Sequence, residues 1–368
     1  AVEVALVTIF KGNWNGPVIL NHKSVHQITS YLDDSESYGD PFALAQNKNR
    51  SFIGSVVNGT GFILEPRVAQ TLIINNSKNK DVILPYLNGD DLNSRPDQSP
   101  SRWIINFFEL EEKTVKINYP DCYEIVKHKV KPHRDKVKRK TYRENWWKYA
   151  ERCPSLYRTI TPLKKVLVIA QVSKPIAFDF ASPMQVLDAK LIVFAHDDFM
   201  HFAIMQSSIH YYWAWKNCTT LESRLSYAPT AIYETFPFPQ SINDKIRAEL
   251  EEIGKSYHEL RRHFMLATQL GLTKTYNLFH HFLLPNLENK LTWQNYTFEE
   301  IQKQFGKELS NLFNHLQHQS NKYSFVDAVV NVHELRRRHG EMDQAVLAAY
   351  GWDKDGPDGP AKAARTAW

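Results

Sequence analysis

The chain has 368 residues, 43% of them hydrophobic, which is enough apolar material for real packed cores. Its longest apolar runs, residues 166–170 and 191–195, are as long as strands and far shorter than the roughly 20 residues of a membrane-spanning helix. The formal net charge of +5 is only mildly basic over the whole chain. Three widely spaced cysteines, Cys122, Cys153 and Cys218, lack the spacing of zinc ligands, so we expect reduced thiols in a cytoplasmic protein.

The sequence opens with apolar residues that alternate at Val2, Val4 and Leu6, which predicts a strand that needs a neighbouring sheet. We therefore expect the chain to be the tail of a longer protein. No basic segment or small-residue cleavage site accompanies this start, so no signal peptide is predicted. The next patterns predict a strand at 17–20, a helix at 24–32 capped by Ser24, a hairpin at 51–64 and a helix at 66–74.

From Ser101 onward the patterns of strands and helices alternate. They predict a strand at 103–108, a long helical tract at 121–152 with a break at Pro132, strands at 166–170, 177–180 and 190–194, and a helix at 198–215. Strands that alternate with helices are typical of a mixed α/β module.

After Gln240 the patterns become helical. They predict helices at 242–270, 298–316 and 323–350, with residues 272–279 as a connecting loop. The final residues 353–368 are rich in glycine, proline and alanine and are predicted to be disordered. The predicted fold class is therefore α+β, with a mixed α/β domain followed by a mainly helical C-terminal domain.

Residues 127–143 form a basic tract, with nine lysines or arginines and a single acid, Asp135. Such density favours a polyanion partner, although a solvated helix face is the alternative. Trp146, Trp147 and Tyr149 follow at once and either pack on a sugar–phosphate wall or anchor the helix. We expect phosphate contacts from this tract and from one arginine that precedes it: Lys129, Arg134, Lys136, Lys138, Arg139, Lys140, Arg143 and Arg102.

The run PYLNGDDLNSRPDQSPSRW at residues 85–103 strongly resembles the start of the recognition domain in MmeI-like restriction–modification enzymes. A Phe-Pro-Phe-Pro motif follows it at residues 236–239. Phe236 and Phe238 are predicted to pack at an interface between domains. In the last third, residues 271–277 and 342–352 resemble the helical C-terminal segment of the same family. The resemblance covers the chain from about Val2 to Trp352.

This resemblance implies a large parent protein that carries a nuclease, an S-adenosylmethionine-dependent adenine-N6 methyltransferase core, a recognition domain and C-terminal helices. Some relatives lack the nuclease and act in phage defence. The implied division is 1–40 as the end of a methyltransferase-type core, 41–240 as the DNA target-recognition domain, 241–352 as the helical domain and 353–368 as the tail. Because the chain has neither an Asn-Pro-Pro-aromatic motif nor a glycine-rich cofactor loop, we expect no catalytic residues and no cofactor here.

The implied function is sequence-specific recognition of double-stranded DNA. Methyl transfer and S-adenosylmethionine then belong to a methyltransferase core, either in cis or on a separate chain. The alternative is a self-contained DNA-modifying enzyme, a methyltransferase or a nuclease, with unrecognised catalytic residues. An RNA-binding helical protein is a weaker alternative, because no RNA-binding aromatic signature is present.

Base reading requires side chains that reach base edges from a rigid support. The predicted hairpin at 171–185 offers polar residues between apolar strands, although an ordinary polar hairpin face is the alternative. The base-reading candidates are Gln171, Ser173, Lys174, Asp179 and Gln185, with Arg224 as a weaker one. The polar loop at 93–102 lies in the shared motif, so we expect scaffolding or backbone contact from it.

No metal site is predicted. His196, His201 and His210 are spaced by five and nine residues and do not share one helix face. Asp90 and Asp91 are adjacent, and neighbouring residues on an extended chain point in opposite directions. Each of these residues is better interpreted as structural or as part of the surface.

Overall fold

The computed structural model describes residues 11–12, 14–28, 34, 41–221, 224–240, 242–285, 296–319 and 323–352. The chain separates into two compact units, Ala1–Phe42 and Ala43–Trp368. In the first unit a short hairpin joins β1 (Val18–Leu20) to β2 (Lys23–Val25). The strand predicted at 17–20 is confirmed, whereas β2 occupies the predicted start of a helix at 24–32. The strand predicted from Val2 lies outside the described residues, as does the tail at 353–368.

The second unit begins with short strands and helices. These are β3 (Ser51–Ile53), β4 (Ile63–Leu64), α1 (Pro66–Asn75), β5 (Ile83–Leu87), α2 (Gly89–Ser94), β6 (Arg102–Ile105), α3 (Glu112–Asn118), α4 (Pro120–Lys129), α5 (Lys131–Arg134), α6 (Lys140–Glu144) and α7 (Pro154–Ile160).

The middle of the unit holds most of the strands. They are β7 (Val166–Ala170), β8 (Val172–Ser173), β9 (Asp179–Ala181), β10 (Val186–Leu187) and β11 (Leu191–Phe194), followed by α8 (Phe199–Gln206), α9 (Ser208–Asn217), β12 (Thr219–Leu221) and β13 (Arg224–Ser226). The last third is helical, with α10 (Asp244–Thr268), α11 (Leu272–Phe279), α12 (Phe298–Phe305), α13 (Lys307–Gln317) and α14 (Phe325–Tyr350). The predicted α+β class is confirmed.

The main core is built around an antiparallel sheet in the order β3-β11-β7-β9. Every residue of β7 and β11 is buried, which explains their unbroken runs of branched apolar residues. Because β3 pairs with β11 whereas β4 pairs with β6 of another sheet, the hairpin predicted at 51–64 is wrong. Gly54 is needed there for close approach: a Cβ on it would lie 2.2 Å from the carbonyl oxygen of Asp188.

A second sheet, in the order β10-β5-β6-β4, has its own core under α1, α3 and α4. Trp146, Trp147 and Tyr149 are buried in this core. The indole of Trp147 donates to the carbonyl of Leu110, and the hydroxyl of Tyr149 donates to the carbonyl of Ile105. These rings therefore anchor the fold, which is the second of the two alternatives that the sequence left open.

The C-terminal helices share the main core with the sheet. Buried residues from Leu87 to Ala349 form one continuous cluster, so apolar packing runs across the predicted boundary near Gln240. Phe236 is buried in this cluster, and the hydroxyl of Tyr350 donates to the carbonyl of Pro237. The Phe-Pro-Phe-Pro segment thus packs against α14. The separation of 41–240 and 241–352 into distinct domains stays a prediction.

Helix boundaries differ from the predictions where local hydrogen bonding intervenes. The tract at 121–152 is divided into α4, α5 and α6, and Pro132 lies in the first turn of α5, where its missing N–H costs nothing. Ser207 ends α8 and caps α9, which divides the helix predicted at 198–215. The connection predicted at 272–279 is helix α11. Gly306, with a φ of 86°, separates α12 from α13.

The contact between α10 and α8 depends on a glycine, and its replacement is a test of this packing. A Cβ on Gly254 would lie 2.3 Å from the carbonyl oxygen of Phe199, whereas a Cβ on Gly340 in α14 would meet nothing within 4 Å. We expect Gly254→Ala to destabilise the protein by about 1–3 kcal/mol through overpacking. The matched variant Gly340→Ala should stabilise it by up to about 1 kcal/mol through helix propensity. Urea unfolding measures both, and equal stabilisation by the two would contradict the close packing.

Candidate nucleic-acid interface

Lys174 and Arg224 meet at one end of a small antiparallel sheet in the order β12-β13-β8. Ser173 pairs with Leu225 and Val172 pairs with Ser226, so Lys174 and Arg224 each stand one residue beyond the last pair of β8 with β13, at the same end of the sheet. Both side chains are exposed. Two base-reading candidates that lie 50 residues apart in sequence are thus brought to one place.

The strand below these cations is fixed by hydrogen bonds on both sides. The backbone N–H of Gln171 donates to the carbonyl of Lys190 at 2.7 Å, and its carbonyl accepts from Tyr227 at 2.7 Å. Ser173 is buried, and its hydroxyl lies 3.5 Å from the Asn93 amide that donates to it. Ser173 therefore helps to hold Lys174 in place, whereas the side chain of Gln171 is only half-buried.

Asp179 and Gln185, two further base-reading candidates, lie inside the protein. Asp179 Oδ2 accepts from Arg261 at 3.0 Å, and its Oδ1 lies 2.8 Å from Nε2 of His258. Burial by itself raises the pKa of this carboxyl, but Arg261 and His258 outweigh it and hold the pKa below its usual value. Since both oxygens are engaged within the fold, the structure assigns Asp179 to the scaffold.

Arg261 is fully buried and joins three elements of the unit. Its guanidinium donates to the carbonyl of Phe178 at 2.6 Å, to Asp179, and to the hydroxyl of Tyr276 at 3.0 Å. Burial alone lowers the pKa of Arg261, but Tyr276 and Asp179 outweigh it and raise the pKa above its usual value. Sequence reasoning missed this residue, although Arg261 stands between Tyr257 and Phe264 on the apolar stripe of α10.

The polar groups of the PYLNGDDLNSRPDQSPSRW motif satisfy one another. Asn88 Oδ1 accepts from the N–H groups of Asp90 and Asp91, which caps α2. The Asp91 carboxylate in turn accepts from the N–H of Ser101. Arg95 donates to Ser99 within the same turn. These contacts favour the scaffolding interpretation of the motif.

The same motif packs against the C-terminal segment that resembles the family. A Cβ on Gly271 would lie 2.5 Å from the carbonyl oxygen of Asn93 and 2.4 Å from the carbonyl carbon of Ser94. Glycine is therefore required where α11 begins, and α2 and α11 contact each other backbone to backbone. Since Asn93 also donates to Ser173, α11 is linked to the strand that precedes Lys174.

The basic tract divides into free and engaged cations. Within the part of the chain that the structure describes, the exposed Lys129, Lys136 and Lys138 have no carboxylate within 4.0 Å. Four others are paired with acids: Lys127 with Glu124, Lys131 with Asp135, Arg139 with Glu151 and Lys140 with Glu144. Such exposed pairs are weak, so the phosphates of a polyanion can replace these partners.

Three arginines of the predicted phosphate-contact set are less available. Arg134 is fully buried and donates to the carbonyls of Val57 and Lys148, so it lies inside the fold instead of on the surface. Arg143 is half-buried and donates to the carbonyls of Val137 and Lys138. The half-buried Arg102 guanidinium lies 5.8 Å from the Tyr86 ring centre. All three are therefore less suited to phosphate contact than the exposed cations of the tract.

His196, Asp198 and His201 cluster around the connection between β11 and α8. The sequence prediction considered ligands on one face of a single helix, so it did not find this cluster. One ligand atom from each lies within 4.8 Å of the others. The two imidazoles, however, stack with centroids 3.7 Å apart and planes inclined by 17°. A metal ion lies near the plane of each imidazole that binds it, and stacked parallel rings offer no shared position of that kind. This arrangement is a hydrogen-bonded stack and does not form a metal centre.

The electrostatics of this stack follow from its burial and from the contacts within it. Burial holds the pKa of His196 well below its usual value, and repulsion from His201 adds to the effect. Its Nε2 lies 2.6 Å from the hydroxyl of Tyr233. Burial tends to raise the pKa of Asp198, but hydrogen bonding from His201 outweighs it and lowers the pKa to about 2.

Comparisons with known proteins match this architecture. The family model of the MmeI target recognition domain matches residues 45–240. Among solved structures, the chain is similar to the Type IIL restriction-modification enzyme MmeI in complex with DNA, with a TM-score of 0.60 and 16% sequence identity. The match covers 94% of this chain and 38% of that chain, so the present chain spans well under half of its length. A search of curated proteins found no match. None of the described helices is long and apolar enough to cross a membrane.

The Arg261–Asp179 pair generates a prediction about stability. We expect Arg261→Met to destabilise the protein by about 3–5 kcal/mol at neutral pH, because it leaves a buried carboxylate without its cation. The pKa of Asp179 is depressed in the folded state, so its contribution is present above about pH 4 and is lost as the pH falls through the folded value. Urea unfolding at pH 7 and well below pH 4 should therefore show a smaller difference between variant and parent at the lower pH.

A double variant serves as the control. Asp179→Leu with Arg261→Met removes both charges, so it should be more stable than Arg261→Met alone. A single variant as stable as the parent protein would show that the pair does not hold the helices to the sheet.

Proposed function

We propose that this chain, which belongs to the family of MmeI target recognition domains, recognises a specific sequence in double-stranded DNA on behalf of an adenine-N6 methyltransferase of a restriction or phage-defence system. The observation that carries the proposal is the pair of exposed cations, Lys174 and Arg224, at the end of a small sheet inside the matched region 45–240. Lysine and arginine are suited to the guanine edge in the major groove. A firmly held strand gives them the register that base reading requires.

The remaining base-reading candidates have different parts in this proposal. The half-buried Gln171 lies close enough to the surface to assist the two cations. Ser173 and Asp179 are engaged within the fold, and the buried Gln185 lies below the surface, so these three support the site. The proposed reading set is therefore Lys174, Arg224 and Gln171.

Phosphate contact is proposed for the exposed cations of the basic tract. Lys129, Lys136 and Lys138 have no acidic partner among the described residues, so binding of a phosphate has no ion pair to replace. Arg139 and Lys140 would exchange exposed partners for phosphates, at small cost. Contacts of this kind set the position of a protein on duplex DNA without reading its sequence.

Methyl transfer is proposed to take place on a methyltransferase core, in cis or on a separate chain, which would bind S-adenosylmethionine. The Asn75-Asn76-Ser77 run is the nearest approach to a catalytic Asn-Pro-Pro-aromatic motif, and its geometry does not fit that role. Asn75 ends α1, and the Asn76 side chain accepts from the N–H of Lys78 to cap the next turn. No catalytic step is assigned to these residues.

The first test of this function is the salt dependence of DNA binding. We expect the chain to bind duplex DNA with an affinity that falls steeply as salt rises, because each phosphate contact releases counterions. Replacing Lys129, Lys136 and Lys138 together by Gln should reduce the slope of log affinity against log salt by about one unit per lysine. Fluorescence anisotropy with a labelled duplex measures this slope.

The matched control replaces three exposed lysines of the C-terminal helices, Lys245, Lys255 and Lys303, by Gln. This variant has the same net charge as the test variant and should keep the parent slope. Equal loss of slope in both variants would mean that only the total charge matters, and an unchanged slope in the test variant would leave the tract as a solvated surface.

The second test concerns which residue selects the sequence. Joined to a methyltransferase core, Lys174→Glu should change the base accepted at one position of the methylated site, because a carboxylate accepts from cytosine where a lysine donates to guanine. A good contact of this type discriminates by roughly 1–3 kcal/mol. Sequencing of methylated sites in a host that carries each version gives the result directly.

Lys245→Glu provides the control, since it makes the same change of charge on the exposed start of α10. It should leave the methylated sequence unchanged. If Lys174→Glu lowers methylation at all sites alike and keeps the motif, then Lys174 touches phosphate and does not choose the base.

A further inference from the structure

A cavity of about 530 Å³ opens beside the proposed reading cations. Its size lies within the range of about 300–1,000 Å³ that is typical of small-ligand sites. Four parts of the second unit form its walls: the turn at Lys174 and Pro175, helix α9, helix α11 with the residues that follow it, and the start of α13. The cavity therefore lies between the family-matched region and the C-terminal helices.

Most of the wall is aromatic. Tyr211 and Trp215 stand one turn apart on α9, with ring centroids 6.2 Å apart. The ring of His280 lies 6.4 Å from that of Tyr211 and is inclined to it by 36°. Phe282 is 87% exposed, and its ring is parallel to that of His281 within 8°. Phe282 therefore stacks on His281 and still leaves most of its surface exposed beside the ring-lined cavity, where a further ring can pack.

The polar groups in the wall are suited to a nucleotide. Lys174 supplies a cation with no carboxylate within 4.0 Å among the described residues. Asn277, half-buried on α11, offers both a donor and an acceptor, the combination that pairs with a base edge. The side chain of His281 is only 10% exposed, and its buried Nδ1 has no hydrogen-bond partner in the described structure. One acid, Glu308, also lines the cavity, and it lies 3.8 Å from the other nitrogen of His281.

The walls are held rigidly. Tyr276 of α11 accepts from Arg261 at 3.0 Å and lies 3.0 Å, hydroxyl to hydroxyl, from Tyr257. At its other end, α11 contacts the backbone of α2 through Gly271. A preformed site loses less conformational entropy when it binds a ligand than one that has to order itself.

We propose that this cavity binds a single unstacked nucleotide, with the base against the aromatic rings, Asn277 at the base edge and the phosphate at Lys174. Ring stacking with a nearby cation is the chemistry by which proteins hold unpaired bases. The proposal that the nucleotide belongs to a DNA strand rests on the proposed function, and a free nucleotide has the same chemistry.

The test compares three ligands with the full chain. Binding is measured to a fully paired duplex, to the same duplex with one bulged 2-aminopurine, and to free 2-aminopurine nucleoside monophosphate. We expect the bulged duplex to bind roughly ten-fold more tightly than the paired one, and stacking should quench its fluorescence. Phe282→Ala, a change at an exposed residue, should remove the preference and the quenching while binding of the paired duplex stays the same.

The control is Ile74→Ala, because Ile74 is equally exposed (82%) and does not line the cavity. It should keep the preference for the bulge. If the parent protein quenches the fluorescence of the free monophosphate and Phe282→Ala does not, this would support the cavity as a site for a free nucleotide, even if no DNA binds. Equal affinity for both duplexes, with no quenching of either probe, would overturn this inference and leave the proposed DNA recognition intact.

Discussion

The buried ion pair between Arg261 and Asp179 joins the C-terminal helix α10 to strand β9 of the main sheet. Removing two charges from water costs several kcal/mol for each ion, and the hydrogen bonds that the pair makes offset part of this cost, although Nε of Arg261 has no partner among the described residues. Here Arg261 reaches the Phe178 carbonyl, the Asp179 carboxylate and the Tyr276 hydroxyl. One guanidinium therefore determines where β9, α10 and α11 lie with respect to one another. Breaking such a pair is costly, because the charge that remains is buried without its partner.

This constraint reaches the surface through a short series of contacts. Tyr276 holds α11, and α11 begins at Gly271, where its backbone touches that of Asn93. Asn93 donates to Ser173, the residue before Lys174. The run at 85–103 and the run at 271–277, which resemble the same family in two distant parts of the sequence, are thus in direct contact. Their shared pattern reflects one packed support beneath the proposed reading cations.

Much of the fold could be predicted from periodicity, because β7, β11 and α10 have apolar patterns that few other structures can bury. The predictions were wrong where one type of residue can serve two structural roles. Gly54 indicated a turn but permits close contact between strands, and Ser207 in an apolar stretch caps a new helix. In the candidate site, exposure could not be predicted from residue type. Arg134 and Lys136 are neighbours in one basic tract, yet Arg134 bonds to buried carbonyls whereas Lys136 faces solvent.

Some polar residues are bonded within the fold and others are exposed to solvent. This difference bears on how the DNA sequence that such a domain recognises can change. Substitutions at exposed positions such as Lys174 usually alter stability by less than about 0.5 kcal/mol. A substitution at Arg261 or Asp179 leaves an unpaired charge in the core, and it costs several times as much. The proposed reading residues can therefore vary while the support stays the same.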